Sequence, residues 1–261
     1  MAATARKRRG QNLEEIALAT PIVTKSVAGT LVVRLNKPEK LNAWDRPMRD
    51  KLRTLILTAN RDPKVKAIVL TGTGERAFCA GQDLAEGKTF DGPRAEEWIE
   101  EWRLLYNAIR RFQKPFVMAL NGLAAGSAFQ VALLGDIRVG HEDSKMGQPE
   151  INSGIASVTG PWIMREIIGL ARTIDLTLTG RMLEADECYR IGLCQAFRIS
   201  GRFSVSSATL PSIRDRTKSD TGTPSRNVYC NTIQWIETLA HSRRRVNDHP
   251  TDRPAAATPP A

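Results

Sequence analysis

The stretch "NGLAAGSAFQVALLGDIRV", residues 121–139, sets a cluster of tiny side chains directly ahead of an apolar run. Gly122, Ala124, Ala125, Gly126, Ser127 and Ala128 carry almost no side chain where a helix is expected to begin. Two physical readings compete. The backbone passes close to another element there, or bare N–H groups at a helix start face a negative charge. A second stretch, "AFCAGQDLAEG" at 77–87, has the same arrangement: Cys79, Ala80 and Gly81 follow a buried strand and a turn. Two such strand ends, side by side in a parallel sheet, aim two N–H groups at one oxygen and form an oxyanion hole. Close helix–strand packing is the plain alternative for either stretch alone. "SKMGQPEINSG", 144–154, adds a carboxylate. Pro149 keeps Glu150 out of a helix interior, and Met146 and Ile151 suggest apolar surroundings. A desolvated Glu has a raised pKa, which suits a general base near neutral pH. A Glu on a surface loop is the alternative.

Working outward, strand-like runs at 30–35, 65–72, 114–122 and 136–140 alternate with helical patterns. Asp45 caps a helix with Pro47 in its first turn, and Met48, Leu52, Leu55 and Ile56 follow at helical spacing. Trp98, Trp102, Leu105, Ile109 and Phe112 share one face of a helix over 95–112. Ala128–Leu134 reads as a helix, and further helices follow between 160 and 193, divided at Gly169 and Gly180. This alternation predicts an α/β domain.

Composition bounds the function. The chain has 261 residues and 41% hydrophobic content, which suits one large domain or one domain with appendages. No apolar run reaches the roughly 18 residues of a membrane span. The basic start "MAATARKRRGQ" lacks a signal-peptide core and reads as a solvated tail, with a short transit peptide as the alternative. Much of the net charge of +10 sits in "RKRR" at 6–9 and "RRR" at 243–245, so a nucleic-acid partner is disfavoured. Cysteines 79, 188, 194 and 230 show no CxxC spacing and the three His are scattered, so neither a metal site nor a disulfide framework is expected. The compartment is read as reducing and cytoplasmic. Gly72-x-Gly74-x-x-Ala77 fits a dinucleotide fingerprint but lacks the following helix and a later acidic residue. His141, alone at a strand end, reads as structural.

The segments "LNKPEKLNAW", "AFCAGQDL", "KPFVMALNGLAAGSAFQVALLGDIRV" and "KMGQPEINSGI", with "LTLTGRMLEADECYRIGL" after them, resemble the crotonase family, the enoyl-CoA hydratase/isomerase superfamily. The resemblance covers roughly residues 20–195. It implies an α/β, crotonase-like spiral of β-β-α turns, assembled as a homotrimer or hexamer. It implies an acyl-CoA thioester substrate and an enolate intermediate. No cofactor or metal is implied, since coenzyme A is part of the substrate. Carried over by position, the oxyanion hole is the backbone N–H of Gln82 and Ser127. Lys40, Ala43, Ala80, Asp83, Leu84 and Ala85 line the path of the substrate. The family's two carboxylate positions fall on Glu150 and on residue 130, where this chain has Gln130. A Gln holds water by hydrogen bonds but takes no proton from it. One carboxylate suffices for a 1,3-proton shift, so isomerase-like chemistry is favoured. Hydration and non-catalytic acyl-CoA binding are the alternatives.

Three parts follow: a basic tail at 1–17, a crotonase-like core at 18–195 and a divergent, poorly ordered segment at 196–261. In that last segment apolar periodicity fades, and nine Arg stand against one Lys. Only 228–242 suggests a helix. The family's C-terminal helices, which cover the acyl pocket and join subunits, have no counterpart there. Translation in a shifted reading frame accounts for such a composition, as does an unrelated tail. Either leaves the pocket without its usual cover and the trimer in question.

Overall fold

Continuous apolar runs and amphipathic helices alternate along the chain, and the result is two sheets wound as one spiral. The structure is a computed structural model. It describes residues 20–87, 90–199 and 202–205, all within one compact unit spanning residues 1–218. The basic tail, "RKRR", the helix expected at 228–242 and "RRR" at 243–245 lie outside the described residues.

The larger sheet has seven strands in the order β1-β2-β3-β5-β7-β10-β11. They are β1 (Ile22–Val27), β2 (Thr30–Leu35), β3 (Ala67–Gly72), β5 (Phe116–Ala119), β7 (Ile137–His141), β10 (Ala196–Ile199) and β11 (Arg202–Val205). Strands β2, β3, β5, β7 and β10 run parallel, with an antiparallel strand at each edge. Every residue of β3 is buried, as expected of a parallel strand covered on both faces. The smaller sheet holds β4 (Ala77–Cys79), β6 (Leu123–Ala125), β8 (Lys145–Gly147) and β9 (Met182–Leu183). Each turn of the spiral places one strand in each sheet, β3 then β4, β5 then β6, β7 then β8, before a helical segment leads on. This is the mixed α/β fold expected from the sequence.

The helices are α1 (Arg46–Arg61), α2 (Leu84–Gly87), α3 (Gly92–Arg110), α4 (Ser127–Leu134), α5 (Gly160–Ile168), α6 (Leu170–Thr179) and α7 (Ala185–Arg190). Asp45 caps α1 by accepting from the Met48 N–H at 3.2 Å, and Met48, Leu52, Ile56 and Ala59 face the core. Helix α3 starts three residues before the expected 95, because Asp91 caps it by accepting from the Arg94 N–H. Among the described residues no helix is long and apolar enough to cross a membrane.

Two features depart from the sequence reading. Ala77–Cys79 and Leu123–Ala125 are short strands, which the sequence reading did not mark as such. The sheet also continues past residue 195. Ala196–Arg198 pair in parallel with Val139–His141, and β11 folds back on β10. A backbone ladder needs no side-chain periodicity, so it outlasts the compositional break at 196. The Gly72–Ala77 fingerprint spans the short connection from β3 to β4, with a strand and not a helix directly after it.

Candidate active site

Three parallel strands of the small sheet bring the site together. Cys79 of β4 pairs with Ala124 of β6, and Ala124 with Met146 of β8. Gln82 lies three residues beyond Cys79, Ser127 three beyond Ala124 and Glu150 four beyond Met146. The carboxyl ends of adjacent parallel strands therefore deliver all three to one place, where open α/β sheets bind ligands.

Two glycines show how closely they meet. Gly81 has φ +96°, and a Cβ on it would fall 2.7 Å from the Ala125 carbonyl oxygen and 3.5 Å from the Ser127 nitrogen. Gly126 has φ +57°, and a Cβ there would fall 3.1 Å from Glu150 Oε1. The positive φ at both positions, and at Gly81 the lack of space as well, call for glycine. The stripped side chains let the backbone at Gly81, next to Gln82, approach Ser127, and let Gly126, next to Ser127, approach Glu150.

Ser127 opens α4, with Gly126 as its N-cap, so its N–H lies ahead of the helix's own ladder. Gln82 is bridged in parallel by Trp44, which bonds to its two neighbours instead: the Trp44 N–H donates to Gly81 O and the Asp83 N–H to Trp44 O, both at 3.0 Å. In a parallel ladder the residue between two such bonds turns its own N–H the other way. Neither the Gln82 nor the Ser127 N–H is engaged by another of the described residues. Two unengaged donors beside one carboxylate suit a carbonyl oxygen that gains negative charge.

Glu150 comes from a 3₁₀ turn, Pro149–Ser153, directly after β8. Burial pushes its carboxyl pKa up. Its Oε1 accepts from Gln148 Nε2, while its buried Oε2 has no partner among the described residues. A half-buried carboxylate with one oxygen fixed and one oxygen free is a competent proton acceptor. Gln148 Nε2 also donates to Ser157 Oγ at 2.9 Å.

Gln130, on α4 facing the core, is 5% exposed. Its Oε1 accepts from Tyr106 Oη at 2.7 Å and from Thr159 Oγ1 at 2.6 Å, and its Nε2 reaches Ser157 Oγ at 3.4 Å. Burial, then the Glu150 charge, hold the Tyr106 phenol protonated and able to donate. The amide is thus occupied on both ends by the protein itself.

The expected substrate-path residues come from two laced segments. The Ala80 N–H donates to Leu41 O, and Lys40 Nζ donates to Asp83 Oδ2, both at 2.9 Å. The lysine beside Asp83 holds that carboxyl below its usual range. Lys40, Leu84 and Ala85 are exposed, Ala80 and Asp83 half-buried and Ala43 buried. His141 is structural: its N–H donates to Ser144 Oγ and its Nδ1 accepts from the Asp143 N–H. Cys79, Cys188 and Cys194 are buried free thiols.

The sequence reading missed Trp44, Tyr106, Gln148, Ser157 and Thr159. Tyr106 and Gln148 lay in apolar or proline-flanked surroundings, and a polar group there signals a partner. Ser157 and Thr159 sit in "ASVTGP", where no pattern marks them.

Comparison with known proteins agrees with this architecture. Residues 25–207 match the profile of the enoyl-CoA hydratase/isomerase family. The chain is 29% identical to a crotonyl-CoA hydratase of Syntrophomonas wolfei, over 62% of this chain and 63% of that protein. It is 32% identical to the 1,2-epoxyphenylacetyl-CoA isomerase of Escherichia coli, over 63% of this chain and 64% of that one. The match spans a little under two thirds of the length of these curated relatives. Among solved structures, DspI of Pseudomonas aeruginosa superposes with a TM-score of 0.67 at 27% identity, covering 86% of this chain and 82% of that one. An enoyl-CoA hydratase subunit of Geobacillus kaustophilus gives 0.66 at 26% identity, covering 87% and 88%. With strands β4, β6 and β8 delivering their ends to one site and the profile spanning residues 25–207, the chain belongs to the crotonase superfamily, the enoyl-CoA hydratase/isomerase family.

Proposed function

We propose that the protein moves a proton at an enoyl-CoA thioester, shifting its double bond by isomerase-like chemistry with Glu150 as the base. The observation that carries this reading is the single carboxylate at this site among the described residues. Glu150 lies against Gly126, beside the Ser127 N–H, with Oε2 unpartnered, while Gln130 has no proton to exchange and both its ends are occupied.

The chemistry follows in order. The thioester oxygen accepts from the Gln82 and Ser127 N–H groups. Glu150 takes a proton from the α-carbon, and the electron pair passes onto that oxygen. The two donors stabilise the enolate, each worth about 3 kcal/mol in the transition state. Glu150 then returns the proton at the γ-carbon, and the double bond moves. The reading assigns no cofactor and no metal: coenzyme A arrives with the substrate. Lys40, Ala43, Ala80, Asp83, Leu84 and Ala85 line its path. The protein works in the cytoplasm, as a homo-oligomer.

Relatives include both hydratases and isomerases, so the test must separate them. Purified protein is assayed with 3-enoyl-CoA for isomerisation and with 2-enoyl-CoA for hydration. The expected result is isomerisation without appreciable hydration, falling about 10²- to 10⁴-fold in Glu150→Gln. Full turnover in Glu150→Gln would overturn the assignment. Binding of enoyl-CoA with no turnover in either assay would make the protein an acyl-CoA binder. Gln130→Glu tests whether a second carboxylate admits hydration.

A further inference from the structure

Trp44 was not singled out by any sequence pattern, yet it touches both halves of the oxyanion hole. It is fully buried. Its main chain holds Gly81 and Asp83, the neighbours of Gln82, through bonds of 3.0 Å each. Its indole Nε1–H donates to Ser127 Oγ at 3.0 Å. One residue therefore grips the two strand ends that carry the two donor N–H groups.

The grip is stiff. The Trp44 ring meets Trp102 edge-on, with centroids 5.5 Å apart at 62°, and the Arg49 guanidinium lies 5.2 Å from the Trp102 centroid. The Gln82 side chain is fixed on the far side. Its Oε1 accepts from Arg49 Nη1 at 3.0 Å and Trp98 Nε1 at 3.1 Å, and its Nε2 donates to Glu86 at 2.6 Å. A side chain so engaged cannot swing to turn its own backbone. The Ser127 side needs such a tie, because Gly126 before it has no side chain to restrain the turn.

We propose that Trp44 is a positioning residue that sets the spacing and aim of the Gln82 and Ser127 N–H groups, acting through its indole bond to the Ser127 hydroxyl. The inference rests on the oxyanion-hole reading above. Two preorganised donors stabilise an enolate only where both reach the oxygen together. A misplacement of about 1 Å costs up to about 100-fold in rate.

Trp44→Phe keeps a ring and the main-chain bonds but removes the donor. Ser127→Ala removes the acceptor and keeps the Ser127 N–H. Each is expected to lower kcat about 10- to 100-fold with KM little changed. The double variant should fall no further than the worse single, since both remove one bond. The diagnostic readout is the infrared carbonyl band of a short-chain enoyl-CoA labelled with ¹³C at the thioester carbonyl. In the wild type this band should drop in frequency on binding, and in both variants it should return toward the free value. A wild-type band shift retained in full by Ser127→Ala, with unchanged kcat, would overturn the role of Trp44 and leave the oxyanion hole standing. So would losses that multiply in the double variant. No shift in the wild type would overturn the oxyanion reading itself. Ser127→Ala decides the question alone if Trp44→Phe does not fold.

Discussion

Glu150 is placed where its charge is costly. Burial raises its pKa in the folded protein above that of the unfolded chain, so the folded state disfavours the carboxylate. Between the two pKa values the folded state binds more protons, and stability falls as pH rises through that window. Activity runs the other way, because a base must be ionised to accept a proton. The rate of proton transfer is therefore expected to rise with pH, with a midpoint above the ordinary glutamate range. Glu150→Gln keeps an acceptor for Gln148 and removes the buried charge. It is expected to isomerise about 10²- to 10⁴-fold more slowly but to be at least as stable as the wild type at pH 7, with the difference vanishing below about pH 4. Urea unfolding at both pH values checks this. A variant less stable at pH 7 would mean that Glu150 has stabilising partners beyond Gln148. At this scale much of the site was legible. Small residues at 81 and 126 mark a backbone that must be approached, and a proline-flanked Glu marks a side chain outside a helix. Trp44 was not legible, because its partners Gly81, Asp83 and Ser127 are far away in sequence and pairing across the fold leaves no local pattern. Gln148 was not, because nothing in the residue order marks an amide as the partner of Glu150 and Ser157.

Helices α1, α2 and α3 are tied by a cluster of charges that the sequence did not announce. Arg49, on the core face of α1, is 1% exposed. It donates to Glu86 of α2 at 2.8 Å and to Glu101 of α3 at 2.5 Å, and Arg94 closes the set by donating to Glu101 at 2.6 Å. Burial alone raises the Glu86 and Glu101 pKa values, but the bonds from the two arginines and Gln82 outweigh it and hold both below the usual range. The sign is opposite to that of Glu150: the stability they supply is present above the unfolded pKa and lost as pH falls. Removing Arg49 leaves two inward carboxylates facing each other. Arg49→Met is expected to destabilise the fold by about 3–5 kcal/mol, read from the shift in urea midpoint. Arg49→Lys should recover only part of this, since an ammonium lacks the fork that reaches Gln82 and Glu86 together. A loss under 1 kcal/mol in Arg49→Met would show that the cluster contributes little to stability. An arginine at an apolar position of α1 breaks the helical pattern, and that break was the available signal. The strands β4 and β6 were missed for another reason. Strands of only three residues, Ala77–Cys79 and Leu123–Ala125, carry no readable period, so only their pairing partners define them.

The whole described body leaves one side unfinished. The 3₁₀ turn after β8, the loop beyond it and helices α5 and α6 are adjacent in the fold, and Gly180 at the end of α6 abuts Ile151 and Asn152. This region exposes Val158 and Trp162 at 68% each, Leu178 at 66%, Leu170 at 58% and Ile174 at 48%. Single exposed apolar residues are ordinary, but several on neighbouring elements mark a surface built for contact. The sequence showed these residues only as part of amphipathic helices. Periodicity tells which residues share a face, not whether that face meets the core or another molecule. The homo-oligomer proposed above would place a second copy of this chain on this face. Burying a large apolar side chain contributes about 1.5–3 kcal/mol, so a few such contacts suffice for association. Sedimentation velocity of the full chain at micromolar concentration is expected to show an assembly larger than a monomer. Trp162→Glu and Leu178→Glu each place a charge in the contact at a cost of about 3 kcal/mol, so each should weaken association about 100-fold or more. Both positions are exposed, so the thermal midpoint of the separated subunit should barely move. A wild type that sediments as a monomer, or Glu variants that assemble unchanged, would place the subunit contacts elsewhere.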